Sequence, residues 1–86
     1  MQTKTLAITN KLGLHARAAM KLVDTASRFT ASVSMHFDGK ECDAKDILQT
    51  MSLGAAMGSQ IKFVIDGPDE DESMTAITKL LDDKFG

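Results

Sequence analysis

The clearest pattern in the chain is an alternation. Ala31, Val33, Met35 and Phe37 take every second position, with Ser32, Ser34 and His36 between them. Period two places these apolar groups on one face of a strand over residues 31–37. Asp38-Gly39 follows at once, a pair that accepts the positive φ angles of a tight type I′ hairpin turn. Lys40 to Cys42 is therefore expected to return as a short, charged strand suited to a sheet edge. A looser alternation over residues 3–9 puts Leu6 and Ile8 on one side. Gln60 to Asp66 does the same for Ile61, Phe63 and Ile65, and both segments read as strands.

Elsewhere the period is helical. From Ala16 on, Ala19, Leu22, Val23 and Ala26 fall at i, i+3, i+4 and i+7, with Met20 beside that stripe. Arg17, Lys21, Asp24, Thr25 and Arg28 point the other way, which predicts an amphipathic helix of about three turns. A shorter helix is expected over Asp43 to Leu53, carrying Ile47, Leu48 and Met51. Either Asp43 or Asp46 can cap its first turn, Gly54 can end it, and Gly58 marks a turn. Gly67-Pro68 breaks the last strand. Asp69 then caps a final helix, with Glu72 at capping-box spacing and the acidic run Asp69 to Glu72 at the positive end of the helix dipole. Met74, Ile77, Leu80 and Leu81 form its buried stripe. The order βαββαβα predicts an α+β fold. It is a two-layer open-faced sandwich, a four-stranded antiparallel sheet with three helices on one face.

Composition narrows the classes. Residues 1–86 suffice for one domain and no more. A formal charge of -2 lacks the basic excess of a nucleic-acid binder. No apolar run approaches the roughly 18 residues of a membrane span, and the first residues lack the apolar stretch of a signal peptide. With Cys42 alone, no disulfide can form within the chain, so a cytoplasmic protein is expected. His15 and His36 stand apart from one another and from the cysteine, so neither a metal nor a cofactor is expected. His36 lies on the polar side of its strand and reads as a surface residue. Cys42 reads as a small apolar group with nothing to activate its thiolate.

The informative segment is Gly13-Leu14-His15-Ala16-Arg17, where a loop becomes a helix. The first N–H groups of a helix have no internal partners, and the dipole makes that end positive, so it suits an anion. Positive potential there disfavours a further charge on the His15 ring and leaves a nitrogen lone pair as a nucleophile. A phosphoryl group on the ring would meet the N–H donors of Ala16 and Arg17, and the Arg17 guanidinium can neutralise its charge. Gly13 lets the backbone turn sharply and keeps the approach open. The plain alternative is a surface or capping histidine, the commoner fate of such a residue.

The stretch Asn10-Lys11-Leu12-Gly13-Leu14-His15-Ala16-Arg17-Ala18-Ala19-Met20-Lys21-Leu22 resembles the active-site region of the HPr family, histidine-containing phosphocarriers of the bacterial phosphoenolpyruvate phosphotransferase system. The resemblance extends over the chain, through the Asp-Gly hairpin, Ala44-Lys45, and Ser52-Leu53-Gly54 with Gly58. It implies that His15 is phosphorylated at ring Nδ1 by phosphorylated enzyme I and relieved by an EIIA-type domain, with Arg17 assisting. It implies a monomer that is a stoichiometric carrier and not an enzyme, serving either sugar uptake or a nitrogen-related branch. It also implies an apolar docking patch around the second helix, from Ile47, Leu48, Met51, Ser52 and Met57. Leu48 or Ile47, together with Met51, is expected to be partly exposed. Lys21, Lys45 and Gln49 are candidates for a polar rim. Two positions depart from the family pattern. Ala18 stands where proline is common, and Asp46 stands where many relatives carry a regulatory serine, so serine phosphorylation is not available there. Two other readings compete: a small acylphosphatase-like enzyme, and an HPr-like regulatory module without transfer.

Overall fold

The structure is a computed structural model that describes residues 1–86. Its elements are β1 (Gln2–Ala7), α1 (Ala16–Ser27), β2 (Ser32–Phe37), β3 (Lys40–Asp43), α2 (Ile47–Met51), β4 (Gln60–Asp66) and α3 (Glu70–Asp82). The strands form one antiparallel sheet in the order β1-β4-β2-β3, so β4 and β2 are central and the short β3 is an edge, as expected.

Register brings like with like. Leu6 lies opposite Ile61, Val33 opposite Ile65, Met35 opposite Phe63 on one side and Cys42 on the other. These residues form one buried face, and the helices cover it with Ala19, Leu22, Ala26, Met74, Ile77 and Leu81. Fully burying a side chain of this size stabilises by about 1.5–3 kcal/mol, so the sheet–helix seam is the main source of stability. Ser32, Thr3, Thr5 and Lys62 face outward. Asp38 and Gly39 have φ of 52° and 75°, the pair of positive angles the β2–β3 turn demands.

Several boundaries differ from the expectation. The strand expected over residues 3–9 ends at Ala7, and Ile8 continues the core outside it through a bond from its N–H to the Ser59 carbonyl, 2.8 Å. Thr25 is buried on α1, while Val23 is half-buried, so the stripe runs Ala18, Ala19, Leu22, Thr25, Ala26. Met20 is 62% exposed and does not sit beside the core.

The second helix is half the expected length. Asp43 belongs to β3, opposite Ser34, and its carboxylate accepts from the Lys45 N–H in a turn, 2.9 Å. Asp46 is the cap: its Oδ1 accepts from the Leu48 and Gln49 N–H groups at 3.0 and 3.1 Å.

The capping box at α3 does not form. Asp69 occupies the N-cap position without a side-chain cap bond. Its carboxylate accepts instead from the Thr30 and Ala31 N–H groups, both 2.8 Å, and ties the start of α3 to the segment entering β2. These backbone donors hold its pKa below the ordinary Asp value. Cys42 is buried, and loss of solvent pushes its thiol pKa up, consistent with an inert side chain.

Candidate functional site

The approach to His15 is fixed before the helix begins. Gly13 has φ of 68°, and a Cβ on it would lie 2.6 Å from the Ala55 carbonyl oxygen and 2.8 Å from the Ala56 Cα. The glycine is therefore required by a close backbone approach as much as by its turn. The next residue, Leu14, is buried and donates its N–H to the same Ala55 carbonyl, 2.8 Å. Asn10 closes the loop from the other side, donating from its side-chain amide to the Gly13 carbonyl. The segment leading into His15 thus rests on the loop that leaves α2. Ala55 carries no sequence signal for this role, because it acts through contacts distant along the chain, whereas Asn10 acts only three residues away.

His15 is the N-cap of α1, half-buried, with extended φ and ψ of -78° and 179°. Its Nδ1 accepts a hydrogen bond from the Ala18 N–H, 3.0 Å. That bond is the ordinary N-cap contact, made here by a ring nitrogen in place of the usual oxygen. A histidine is outside the usual cap set, so the sequence gives little warning of it. The N–H groups of Ala16 and Arg17 have no hydrogen-bond partner within the chain, as their position in the first turn dictates.

The charges around α1 set it apart. The N-caps of α2 and α3 are Asp46 and Asp69, and α3 adds Glu70, Asp71 and Glu72 in its first turn. α1 has a histidine cap and no acid in its first turn. Its positive end is the one the chain leaves without a carboxylate of its own. Arg17 is exposed and takes part in none of the ion pairs, which join Met1 to Asp66 and Glu70, Arg28 to Asp24, and His36 to Glu41. The arrangement is an open anion site. It consists of two free backbone donors, one free guanidinium and one ring nitrogen with its lone pair directed into the first turn.

α1 packs against α2, and the second helix presents large apolar groups to solvent. Leu48 is 75% exposed, and Met51 and Met57 are also exposed, whereas Ile47 is half-buried against the core. Leu12 and Met20, which the sequence pattern did not single out as surface groups, are exposed too. Ser52 is exposed, with its hydroxyl donating to the Leu48 carbonyl at 2.7 Å. The expected polar rim is reduced. Lys45 donates to the Phe29 carbonyl just beyond α1, 2.8 Å. Gln49 accepts from the Asp43 N–H and donates to Asp46. Lys21 remains half-buried on α1. His36 is on β2, with its Nε2 3.6 Å from a Glu41 carboxylate oxygen, and makes no hydrogen bond to this site.

Comparison with known proteins bears directly on this geometry. A family model described as the PTS HPr component phosphorylation site matches residues 2–83. Over 86 residues the chain is 44% identical to the phosphocarrier protein HPr of Cupriavidus necator, covering all of this chain and 97% of that one. Its backbone is similar to that of HPr-C-His from Thermoanaerobacter tengcongensis, with a TM-score of 0.96 and 42% identity, over 100% of this chain and 97% of the other. A structure described as an HPr dimer from the same organism matches with a TM-score of 0.80 at 42% identity, over 100% and 99%. No helix of the chain is long and apolar enough to cross a membrane. A histidine-capped helix on this sandwich and a family match along nearly the whole sequence agree: the chain belongs to the HPr family, the phosphocarrier proteins of the phosphotransferase system.

Proposed function

We propose that residues 1–86 act as one carrier domain that takes a phosphoryl group onto His15 Nδ1 from phosphorylated enzyme I and gives it to an EIIA-type domain. The observation that carries this reading is the position of His15 at the one helix start without a carboxylate, flanked by the free N–H groups of Ala16 and Arg17. In the transfer, the Nδ1 lone pair forms a bond to phosphorus. The bond from phosphorus to the donor breaks, and its electron pair stays with the donor. The Ala16 and Arg17 N–H groups and the Arg17 guanidinium then hold the phosphoryl oxygens. The site is open and holds few fixed partners, which suits a group that must leave again. Leu48, Met51 and Met57, exposed beside it, with Ile47 and Ser52 at their edge, form the docking surface for both partners. The protein works as a monomer in the cytoplasm, for sugar uptake or a nitrogen-related branch. Asp46, capped onto α2, replaces any serine switch with a fixed charge.

The acylphosphatase-like alternative would need an asparagine free to orient water. Asn10 is the only asparagine, and its amide is committed to the Gly13 carbonyl. The test is incubation with phosphoenolpyruvate and enzyme I. The wild type gains an acid-labile phosphate, His15→Ala gains none, and Arg17→Ala gains it about tenfold more slowly with its circular dichroism unchanged. Phosphate on His15→Ala would overturn the reading, and turnover of an acyl phosphate without enzyme I would favour the enzyme.

A further inference from the structure

The bond from Ala18 to His15 bears on the reaction itself. A neutral imidazole has one lone pair on its unprotonated nitrogen, in the plane of the ring. Here that nitrogen is Nδ1, and its lone pair points at the Ala18 N–H, 3.0 Å away. The same lone pair is the one that must attack phosphorus. It cannot do both, and an incoming phosphorus would need the space the Ala18 amide fills. The geometry points to the Ala18 N–H as a gate on the phosphoacceptor nitrogen: it holds Nδ1 in the resting protein, and the ring must turn off it before the N–P bond forms. This deepens the carrier reading and rests on it.

Two observations carry the gate. Ala18 is fully buried in the first turn of α1, so its amide is fixed in place, whereas the His15 ring is only half-buried at the edge of the helix. Its N–H has no backbone acceptor, since the groups four residues back lie outside the helix, and Nδ1 is its partner. Loss of that partner on phosphorylation leaves a cost in the phosphorylated state, which raises the tendency of the phosphoryl group to move on. Ala18 is thus a positioning residue that acts through its backbone, and the effect depends on having an N–H there. Proline has none and is tolerated in the first turn of a helix.

Two measurements test the gate. In 15N-labelled wild-type protein, a coupling across the hydrogen bond between the Ala18 amide nitrogen and His15 Nδ1 is expected in the resting form and lost on phosphorylation. In Ala18→Pro, acceptance of phosphate from phosphorylated enzyme I is expected to be about fivefold faster, with the equilibrium moved by a similar factor toward the phosphorylated carrier. A purely structural cap bond would show the same coupling and the same loss, but it would leave the rate of acceptance in Ala18→Pro unchanged or lower, so the rate distinguishes the two. Phosphate on wild-type His15 with no coupling in the resting form overturns the gate and leaves the carrier reading standing. So does a folded Ala18→Pro that accepts phosphate at the wild-type rate or more slowly. No phosphate on the wild type overturns both. If Ala18→Pro does not fold, replacing the Ala18 amide by an ester removes the same N–H and gives the same reading: faster acceptance supports the gate, and an unchanged or slower rate overturns it.

Discussion

At Gly13 two demands meet in one residue. Its φ of 68° favours glycine, and the Ala55 carbonyl oxygen stands 2.6 Å from where a Cβ would be. An added methyl group must push the Leu14–His15 segment off the Ala55–Ala56 loop. Gly13→Ala is therefore expected to destabilise the fold by about 1–3 kcal/mol, read as a lower urea midpoint, and to slow phosphorylation because the ring moves with its anchor. Unchanged stability would show that the loop yields freely. The turn was legible in the sequence, since a glycine ahead of a helix start reads as one. The close approach was not, because Ala55 lies forty-odd positions away and nothing local marks it. His15 shows the same division. Its place at a helix start was legible, as were the free donors of Ala16 and Arg17. The bond between Nδ1 and the Ala18 amide was not, because histidine is not a usual cap.

Among the helices, the caps distribute charge unevenly, and the uneven one carries the candidate site. Asp46 closes α2 with two backbone bonds, while α1 begins on a neutral-capable ring. α2 runs only from Ile47 to Met51, too short to be stable without its cap and its packing. Asp46→Ala is expected to cost about 1 kcal/mol in equilibrium unfolding and to speed hydrogen exchange at the Leu48 and Gln49 amides. Asp46→Ser, which keeps a capping oxygen, is expected to recover most of that loss. Equal losses in both variants would contradict the capping account. The length of α2 was the weakest sequence expectation. Apolar spacing at Ile47, Leu48 and Met51 fixes a helix there, but periodicity cannot show that Asp43 is held in β3 opposite Ser34. The strands were more legible. Val33, Met35, Ile61, Phe63 and Ile65 alternate because one sheet face is buried, and the same face sets their register.

Across the whole molecule, Asp69 joins two layers that the sequence keeps apart. It was expected to cap α3 locally, yet its carboxylate holds Thr30 and Ala31, so the last helix and the entrance to β2 are bound together. Only the tertiary arrangement reveals that competition. The bond has a pH signature. The folded pKa of Asp69 lies below its ordinary value, because the Thr30 and Ala31 N–H groups favour the charged form. Its contribution is present in full above the ordinary Asp value, about 4. It fades as the pH falls below that and is gone once the pH passes the depressed folded value. Asp69→Asn is expected to unfold at a lower temperature than the wild type at pH 7, with the gap narrowing in acid; a gap that widens in acid would reverse the sign. The layered fold as a whole followed from element order and buried periodicity, whereas its cross-links did not. The central claim is that this sandwich exists to present His15 Nδ1 to a phosphoryl group. It is tested most directly by a 31P–15N correlation spectrum of the protein after phosphorylation by enzyme I and phosphoenolpyruvate. A single phosphorus bonded to His15 Nδ1 is the predicted result. Phosphorus on Nε2, on His36 or on a serine oxygen, or none at all, would contradict it.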